Sequence, residues 1–314
     1  MSTYLLLRKV RIHNANALSS PMTIGFPAMT AWLGFMHALE RRIRHHQECP
    51  NIRMTKLAVS CHDFDLQTYK GVGDFVRSVI ITANPLRKKG AGFERPPFIE
   101  EARIHLEVSL LIRLEGMSSE NRDDFVKAIE SELPRMKIAG GDILDFSPFA
   151  TATSDEKEKH DEDSQKQRKN PSRLIDLWED DSSRKLLRAL MPGYVLVERR
   201  DILRNRDANS LDALLDILSL HYEYQEDKDD WQLIPREEKG WLVPIVVGFK
   251  GLTPLGKVKN QRDPNTPHRF AEPVLTLGEF KMPYHFNDIE EIMWHYQYEE
   301  DKNLYLCVNQ NLDE

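Results

Sequence analysis

The chain has 314 residues, of which 40% are hydrophobic, and it carries 43 Lys and Arg against 50 Asp and Glu. This apolar fraction excludes a disordered or collagen-like chain, and no stretch reaches the roughly 20 apolar residues that a membrane helix needs. The three cysteines are widely separated and form no CxxC pair, which argues against a disulfide framework and a cysteine-based zinc site. We expect a soluble, cytoplasmic protein with no membrane partner and no cofactor.

Charge is unevenly distributed along the chain. Residues 1–100 carry 14 Lys and Arg against 7 Asp and Glu, whereas the remaining residues carry 29 against 43. This asymmetry indicates either a basic face for a polyanion or an acidic excess that only keeps the protein in solution.

The first elements are defined by alternation and by helical spacing. Val10 and Ile12 fall on one face of a strand, opposite Lys9, Arg11 and His13. The elements predicted here are a strand at 4–13, a turn-rich loop at 14–27, a helix at 28–46 and a strand at 55–64.

The clearest strand lies at 103–114, where six apolar residues alternate with largely polar ones. Before it, residues 66–100 contain a basic turn and predict a projecting hairpin or thumb; after it come a helix at 119–133 and a strand near 136–145. This order resembles a ferredoxin-like β-α-β-β-α-β unit, whose sheet has one open face and recurs in RNA-binding modules. The predicted fold class is therefore α+β, with a modified ferredoxin-like domain over 1–150.

Residues 151–170 are charged and nearly free of apolar side chains, which predicts a flexible loop before a mixed α/β part at 171–314. Asn209 or Ser210 is positioned to cap one of its helices, and Asn287 and Glu290 have capping-box spacing for the last. The predicted elements are a helix at 172–190, a strand at 193–199, a helix at 211–224, an acidic loop at 225–239, a strand at 240–249, a locally basic stretch at 250–281 and a helix at 288–297.

Histidines on the predicted strands are the candidate reactive groups. His13 and His105 can meet across the open face beside Arg11 and Arg103, which would suit either hydrogen bonding to RNA or acid–base cleavage of it. No HExxH, GxSxG, GxxxxGK[ST] or GxGxxG motif is present. Near a Pro-rich turn, Arg262, Asp263, His268 and Arg269 form a polar cluster that either grips phosphate or caps a loop.

Several long motifs carry a family resemblance. They are NANALSSPMTIGFPAMTAWLGFMHALERR (14–42), CHDF (61–64), ARIHLEVSLLI (102–112), AGGDIL (139–144), LMPGYVLVER (190–199), LDALLDI (211–217), GWLVPI (240–245) and NQRDPNTPHRF (260–270). In this order they closely resemble the second Csy subunit family of the type I-F CRISPR surveillance (Csy, or Cascade) complex, a Cas-five-type branch of the RAMP superfamily.

The resemblance implies a non-catalytic subunit with a modified RNA-recognition (RRM/RAMP) domain and a thumb. Its implied partners are the 5′ handle of CRISPR RNA, the large (Cas-eight-type) subunit and the first repeated backbone (Cas-seven-type) subunit, with contact to target DNA near the flanking motif left open. The alternative is a metal-independent endoribonuclease that processes repeat RNA, with His13 or His105 as acid or base.

A short single-stranded handle would be positioned through its phosphates and read on its base edges. The compact amide and hydroxyl side chains in the loop at 14–20 either contact RNA bases directly or form hydrogen bonds that stabilise the turn. The candidate RNA-binding residues are Lys9, Arg11, Asn14, Asn16, Ser19, Ser20, Arg41, Arg42, Arg103, His105, Arg262, His268 and Arg269.

Overall fold

The computed structural model describes residues 2–46, 49, 51–80, 85–97, 100–149, 171–178, 183–206 and 209–309. These residues form a large antiparallel sheet with few helices, which confirms the predicted α+β class. The predicted flexible loop at 151–170 lies outside the described residues.

The strands are β1 (Ser2–Asn16), β2 (Leu18–Ser20), β3 (Thr23–Ile24), β4 (Arg53–Leu66), β5 (Thr68–Tyr69), β6 (Ser78–Val79), β7 (Arg87–Lys89), β8 (Gly92–Glu94), β9 (Arg103–Glu115), β10 (Lys137–Ile138), β11 (Gly141–Asp145), β12 (Arg173–Leu177), β13 (Tyr194–Glu198), β14 (His221–Gln225), β15 (Asp230–Ile234), β16 (Trp241–Gly251), β17 (Ala271–Lys281), β18 (His295–Glu299) and β19 (Leu304–Val308). The helices are α1 (Met29–Ile43), α2 (Arg122–Glu132), α3 (Arg184–Ala189), α4 (Arg200–Arg204) and α5 (Ser210–Leu218), and 3-10 turns occupy Leu133–Arg135, Glu226–Lys228, Pro283–His285 and Ile289–Ile292.

One sheet runs through both parts of the chain, in the order β10-β11-β1-β9-β4-β13-β17-β16-β19-β18. Strand β1 is long enough to be shared along its outer edge, where its first residues pair with β12 and its later ones with β11. Its inner edge pairs with β9, and β9 pairs with β4. Four strands of the N-terminal part therefore lie side by side, in the order β11, β1, β9 and β4.

The main core lies on the face where the apolar residues of β9 point. Leu110 lies opposite Leu7 of β1 and Val59 of β4, and all three are buried. Helix α1 covers this face with residues including Trp32 and Leu33, as the stripe predicted over 28–46 requires. The apolar face of β9 and the apolar stripe of α1 thus pack together in one core layer.

The opposite face of the sheet is covered at one end only. There Tyr4, Leu6 and Leu111 form a second core with α3 and with Ile292. The prediction that the whole polar side of β9 lines an open face is therefore wrong at this end, because Leu111 and its neighbours supply enough apolar surface to bind a covering layer. The open face is confined to the end that holds Arg103–Glu107.

The C-terminal strands are joined to the N-terminal part by backbone and side-chain bonds. Tyr194 and Val195 of β13 pair with β4. Trp294 exchanges two backbone hydrogen bonds with Leu57, and its buried indole Nε1 donates to the Leu196 carbonyl at 2.8 Å. The two parts of the chain therefore share both a sheet and a core.

Within the predicted thumb at 66–100, the described residues form two short hairpins, β5–β6 and β7–β8. Their side chains are largely exposed, with Val72 and Phe75 almost fully accessible. Arg87 and Lys89 both pair with Glu94 across the second hairpin.

The helix predicted over 172–190 is wrong in its first half. Residues Arg173–Leu177 form β12, and among the residues of this span that the structure describes, Arg184–Ala189 is the helical part. Without β12, the backbone groups on the outer edge of β1 at Ser2–Leu6 would have no hydrogen-bond partner. Strand β12 pairs with this edge and supplies those partners.

The helix predicted over 211–224 is capped as expected but ends early. The Asn209 side chain accepts from the backbone N–H groups of Leu211 and Asp212 at 3.0 Å each, and α5 ends at Leu218. Residues His221–Gln225 instead pair with Asp230–Ile234, inside the predicted acidic loop.

The helix predicted over 288–297 is also wrong. A capping box is present, but it joins Asp288 and Glu291, one residue later than the spacing of Asn287 and Glu290 indicates. It caps the 3-10 turn Ile289–Ile292, after which His295–Glu299 adds an edge strand on β19.

Candidate RNA-binding surface

At the open end of the sheet, two histidine rings stack across neighbouring strands. The rings of His13 and His105 lie parallel within 14°, with centroids 4.3 Å apart. Asn14, in the left-handed region at φ 57°, directs its backbone N–H to His105 Nδ1 at 3.1 Å. Because Nδ1 accepts this bond, the neutral ring carries its proton on Nε2, which is the nitrogen left for a ligand.

Carboxylates share this end of the sheet with the predicted cations. Lys9 pairs with Glu107 and Arg103 pairs with Glu101. Arg11 is exposed and has no side-chain partner within the described part of the chain. Of the three cations here, Arg11 is thus the one that can bind a phosphate without first giving up an internal ion pair.

The loop after β1 uses most of its polar side chains internally. Asn16 bonds both backbone groups of Leu18, at 3.0 and 3.1 Å, and Ser19 Oγ donates to the Phe26 carbonyl at 3.0 Å. The buried Ser20 hydroxyl lies 2.8 Å from Thr23 Oγ1. These three side chains fix the shape of the loop, and Asn14 stays exposed beside it.

The end of α1 presents two exposed arginines near α2. Arg42 Nη1 lies 3.0 Å from Glu132 Oε2, and this hydrogen bond, with a further one from His46, lowers the pKa of the Glu132 carboxyl. Arg41 has no side-chain partner among the residues described. Within the described residues, the last turn of α1 therefore offers Arg41 as an unpaired cation and Arg42 as a paired one.

The predicted cluster at 262–269 separates into exposed and built-in residues. Arg262 is exposed, while His268 Nδ1 donates to the Thr266 carbonyl at 2.6 Å. Arg269 Nη1 donates to Asn303 Oδ1 at 2.9 Å, and its side chain runs so close over Gly251 that a Cβ there would lie 2.6 Å from Arg269 Cδ. Arg269 thus fastens the loop to β16 and to the turn before β19.

We expect Arg269→Ala to lower the free energy of unfolding by about 1–3 kcal/mol, because it leaves a partly buried amide unpaired and opens space over Gly251. Denaturant unfolding of the isolated chain measures this. Arg262→Ala is the matched control and should leave the midpoint unchanged; equal midpoints for both variants would contradict the anchoring role.

A buried polar strip, whose pairing of His62 with Ser109 the sequence interpretation did not anticipate, lies behind the open end. His62 Nε2 lies 2.7 Å from Ser109 Oγ, and Ser109 Oγ accepts from the Lys9 backbone N–H at 3.3 Å. Ser60 lies opposite Ser109 in the register of β4 and β9. Gly193 packs directly against Ser60, since a Cβ at position 193 would lie 2.2 Å from Ser60 Oγ. The signal was present in serines that interrupt apolar strands. The strip holds the backbone of Lys9 in place beside the open end.

Burial, with further contributions from Lys9 and Arg8, lowers the pKa of His62 from 6.5 to about 4. Unfolded His62 therefore takes up a proton below about pH 6.5 that the folded chain refuses until about pH 4, so stability is present above pH 6.5 and falls between these values. Melting temperatures measured across this range should fall less steeply for His62→Gln than for the parent chain. Parallel curves would contradict this assignment.

A polar cavity of about 700 Å³ lies elsewhere, along β13, β17 and α4. Two of its cations are paired, Arg199 with Glu279 and Arg200 with Glu198, and no residue of the predicted set lines it. Among the described residues, no group of three or more His, Cys, Asp or Glu side chains is placed to hold a metal ion, and no helix has the length and apolarity to span a bilayer.

Comparison with known proteins agrees with the motif resemblance over nearly the whole chain. The family described as "CRISPR-associated protein (Cas_Csy2)" matches residues 5–307. The chain is 33% identical over 324 aligned residues to "CRISPR-associated protein Csy2" of Pseudomonas aeruginosa (strain UCBPP-PA14), an alignment that covers 96% of this chain and 93% of that protein. The predicted resemblance is confirmed, and this chain belongs to the Csy2 family of CRISPR-associated proteins.

Proposed function

We propose that this chain is a non-catalytic subunit of a type I-F CRISPR surveillance complex, acting in the cytoplasm. With the large subunit it binds the 5′ handle of CRISPR RNA, and it caps the repeated backbone at the tail, so that the guide can recognise foreign DNA. The observation that carries the proposal is the open sheet end, where the Arg11 guanidinium, the Asn14 side chain and His105 Nε2 have no partner within the described part of the chain and lie beside a stacked pair of rings.

The arrangement of the N-terminal strands supports an RNA-binding fold. The order β11-β1-β9-β4, all antiparallel, is that of a split β-α-β-β-α-β unit, and α1 and α2 cover one face. We assign residues 1–150 to a modified ferredoxin-like domain on this basis, with the hairpins at 66–100 as its thumb toward the first backbone subunit. Residues 171–314 are assigned to its C-terminal elaboration.

A bent single strand would be held at this end by three kinds of contact. Arg11 binds a backbone phosphate, while the Asn14 amide and the His105 Nε2–H meet base edges. The stacked rings of His13 and His105 offer a flat surface for an unpaired base. Every base has such a face, so this contact tolerates different sequences.

The other predicted residues have graded roles in the proposal. Arg41 and Arg262 are exposed phosphate candidates outside the open sheet end, and Arg42, Lys9 and Arg103 become available only by exchanging carboxylate partners. Asn16, Ser19, Ser20, His268 and Arg269 act by holding loops in shape.

The proposal is tested by incubating the purified chain, co-expressed with its large subunit, with handle-containing RNA and with an RNA of scrambled handle. We expect tighter binding of the handle RNA and recovery of intact RNA in the presence of EDTA. Metal-independent cleavage that His13→Ala or His105→Ala abolishes would instead establish the endoribonuclease alternative, which the stacked histidines keep chemically open.

A further inference from the structure

A separate two-stranded ribbon projects from the C-terminal part. Strands β14 and β15 pair with each other, and within the described ranges they join no other strand. Their register places Tyr222 opposite Leu233 and Tyr224 opposite Trp231. Because directly opposed residues share a face, these four side chains form one apolar face, here called the ribbon face.

The ribbon face is uncovered. Tyr222 is 53% exposed, Leu233 51%, Trp231 63% and Tyr224 43%. The rings of Tyr224 and Trp231 contact each other, with centroids 5.6 Å apart, and none of the four side chains belongs to the core clusters formed by the described residues. The opposite side of the ribbon is mainly polar and includes Glu223 paired with Gln232.

The base of the ribbon is fixed, so the face is presented in a defined direction. Arg206 pairs with Asp216 on one side of the ribbon and with Glu238 on the other. Helix α5, which leads into β14, is packed by Leu214 and Ile217 against β16 and β17.

Such a ribbon needs a partner on physical grounds. A lone two-stranded hairpin is marginally stable in water, and aromatic side chains gathered on one exposed face are typical of interface centres. The tip carries Glu226, Asp227, Asp229 and Asp230 against Lys228 alone. This acidic tip repels phosphates, so the occupant it favours is a protein with basic groups beside an apolar groove.

We propose that the ribbon face docks onto the large subunit of the complex, in an apolar groove with a basic rim that receives the tip. The partner's identity rests on the proposed function: permanent interfaces are the more apolar ones, and the large subunit is the neighbour with which this chain would pair.

Site-specific photocrosslinking tests the docking in the complete complex. Benzoylphenylalanine replaces Tyr222 on the ribbon face in one preparation and Glu223 on the polar face in the other. Irradiation of the complex co-expressed with the large subunit, the backbone subunit and a guide RNA should give a large-subunit adduct from position 222 and at least fivefold less from 223. An adduct to RNA, to the backbone subunit or to a second copy, or none at all, would overturn the proposal.

A pair of double variants separates this docking from RNA binding. Tyr222→Ser with Trp231→Ser should reduce the amount of large subunit that co-purifies by at least tenfold, whereas Glu223→Ser with Gln232→Ser should not. Ultraviolet crosslinking of handle RNA to the chain alone reports the β1–β9 surface independently, and we expect both double variants to retain it. If handle RNA did not crosslink to the parent chain, the proposed function would be contradicted. If the Tyr222→Ser, Trp231→Ser variant still co-purified the large subunit at the parent level, the docking would be contradicted.

Discussion

Replacing Arg11 with alanine is expected to weaken binding of handle-containing RNA by about 10- to 100-fold, because a charge-assisted hydrogen bond contributes roughly 1.5–3 kcal/mol. The slope of log affinity against log salt should become shallower by about 0.7, the value for one phosphate of a single strand. Arg11 is selected because it alone among the cations of the open sheet end has no carboxylate partner in the described residues.

Two further variants sharpen this expectation. Glu107→Gln removes the carboxylate that pairs with Lys9 and should tighten RNA binding several-fold, since it frees a cation and removes a repelling charge. Arg135→Ala, an exposed arginine beyond α2, is the control and should change neither affinity nor slope. Weaker binding by Glu107→Gln, or an equal effect of Arg135→Ala, would show that the phosphates lie elsewhere.

Truncating Trp294 to alanine is expected to cost about 3–5 kcal/mol of unfolding free energy, the usual range for a large aromatic side chain in a core. Trp294 is fully buried, and it joins β4 to β13 through backbone and indole hydrogen bonds. Trp294→Phe keeps most of the packing but leaves the Leu196 carbonyl unpaired, so we expect about 1–3 kcal/mol for that variant.

Denaturant unfolding followed by both circular dichroism and tryptophan fluorescence measures these effects. Because the sheet is continuous through β4 and β13, both signals should change at one midpoint. The exposed Trp231 provides a control, since Trp231→Ala should shift the midpoint far less. Separate transitions in the parent chain, or equal shifts for the two tryptophans, would contradict the shared core.

The N-terminal elements could be predicted because each has a local pattern that tertiary structure only reinforces. Strict alternation fixed the strand that the structure shows as Arg103–Glu115, and the apolar stripe fixed the helix Met29–Ile43. A strand with one buried face cannot shift its register by a residue without exposing that face.

The predictions for two C-terminal segments were wrong because pairing with a sheet edge made each segment a strand. Arg173–Leu177 lies within the predicted helix 172–190, and His295–Glu299 overlaps the end of the predicted helix 288–297. Both are strands because they pair with edges of β1 and β19. The edge of β1 is created by a distant part of the chain, so no local window contains that information. Strand β18 instead forms a local hairpin with β19 through the turn at Glu300–Asn303, a pairing that the helical interpretation overlooked.

The candidate site shows the same division between local and distant information. Alternation placed Lys9, Arg11 and His13 on one face, and the structure exposes that side while Val10 and Ile12 are buried. Sequence could not show that Glu107 and Glu101 neutralise two of the predicted cations, or that Arg269 is anchored by Asn303. Pairing depends on side chains brought together by folding, and it changes which cations are available to a phosphate.

The most direct test of RNA binding is ultraviolet crosslinking of the assembled complex with a handle-containing guide RNA, followed by mass spectrometry of the attached peptides. Handle nucleotides should be found on peptides that contain His13 and Asn14 or His105, with the RNA uncut. Handle adducts confined to other subunits, or to parts of this chain away from β1 and β9, would contradict the assignment of this surface.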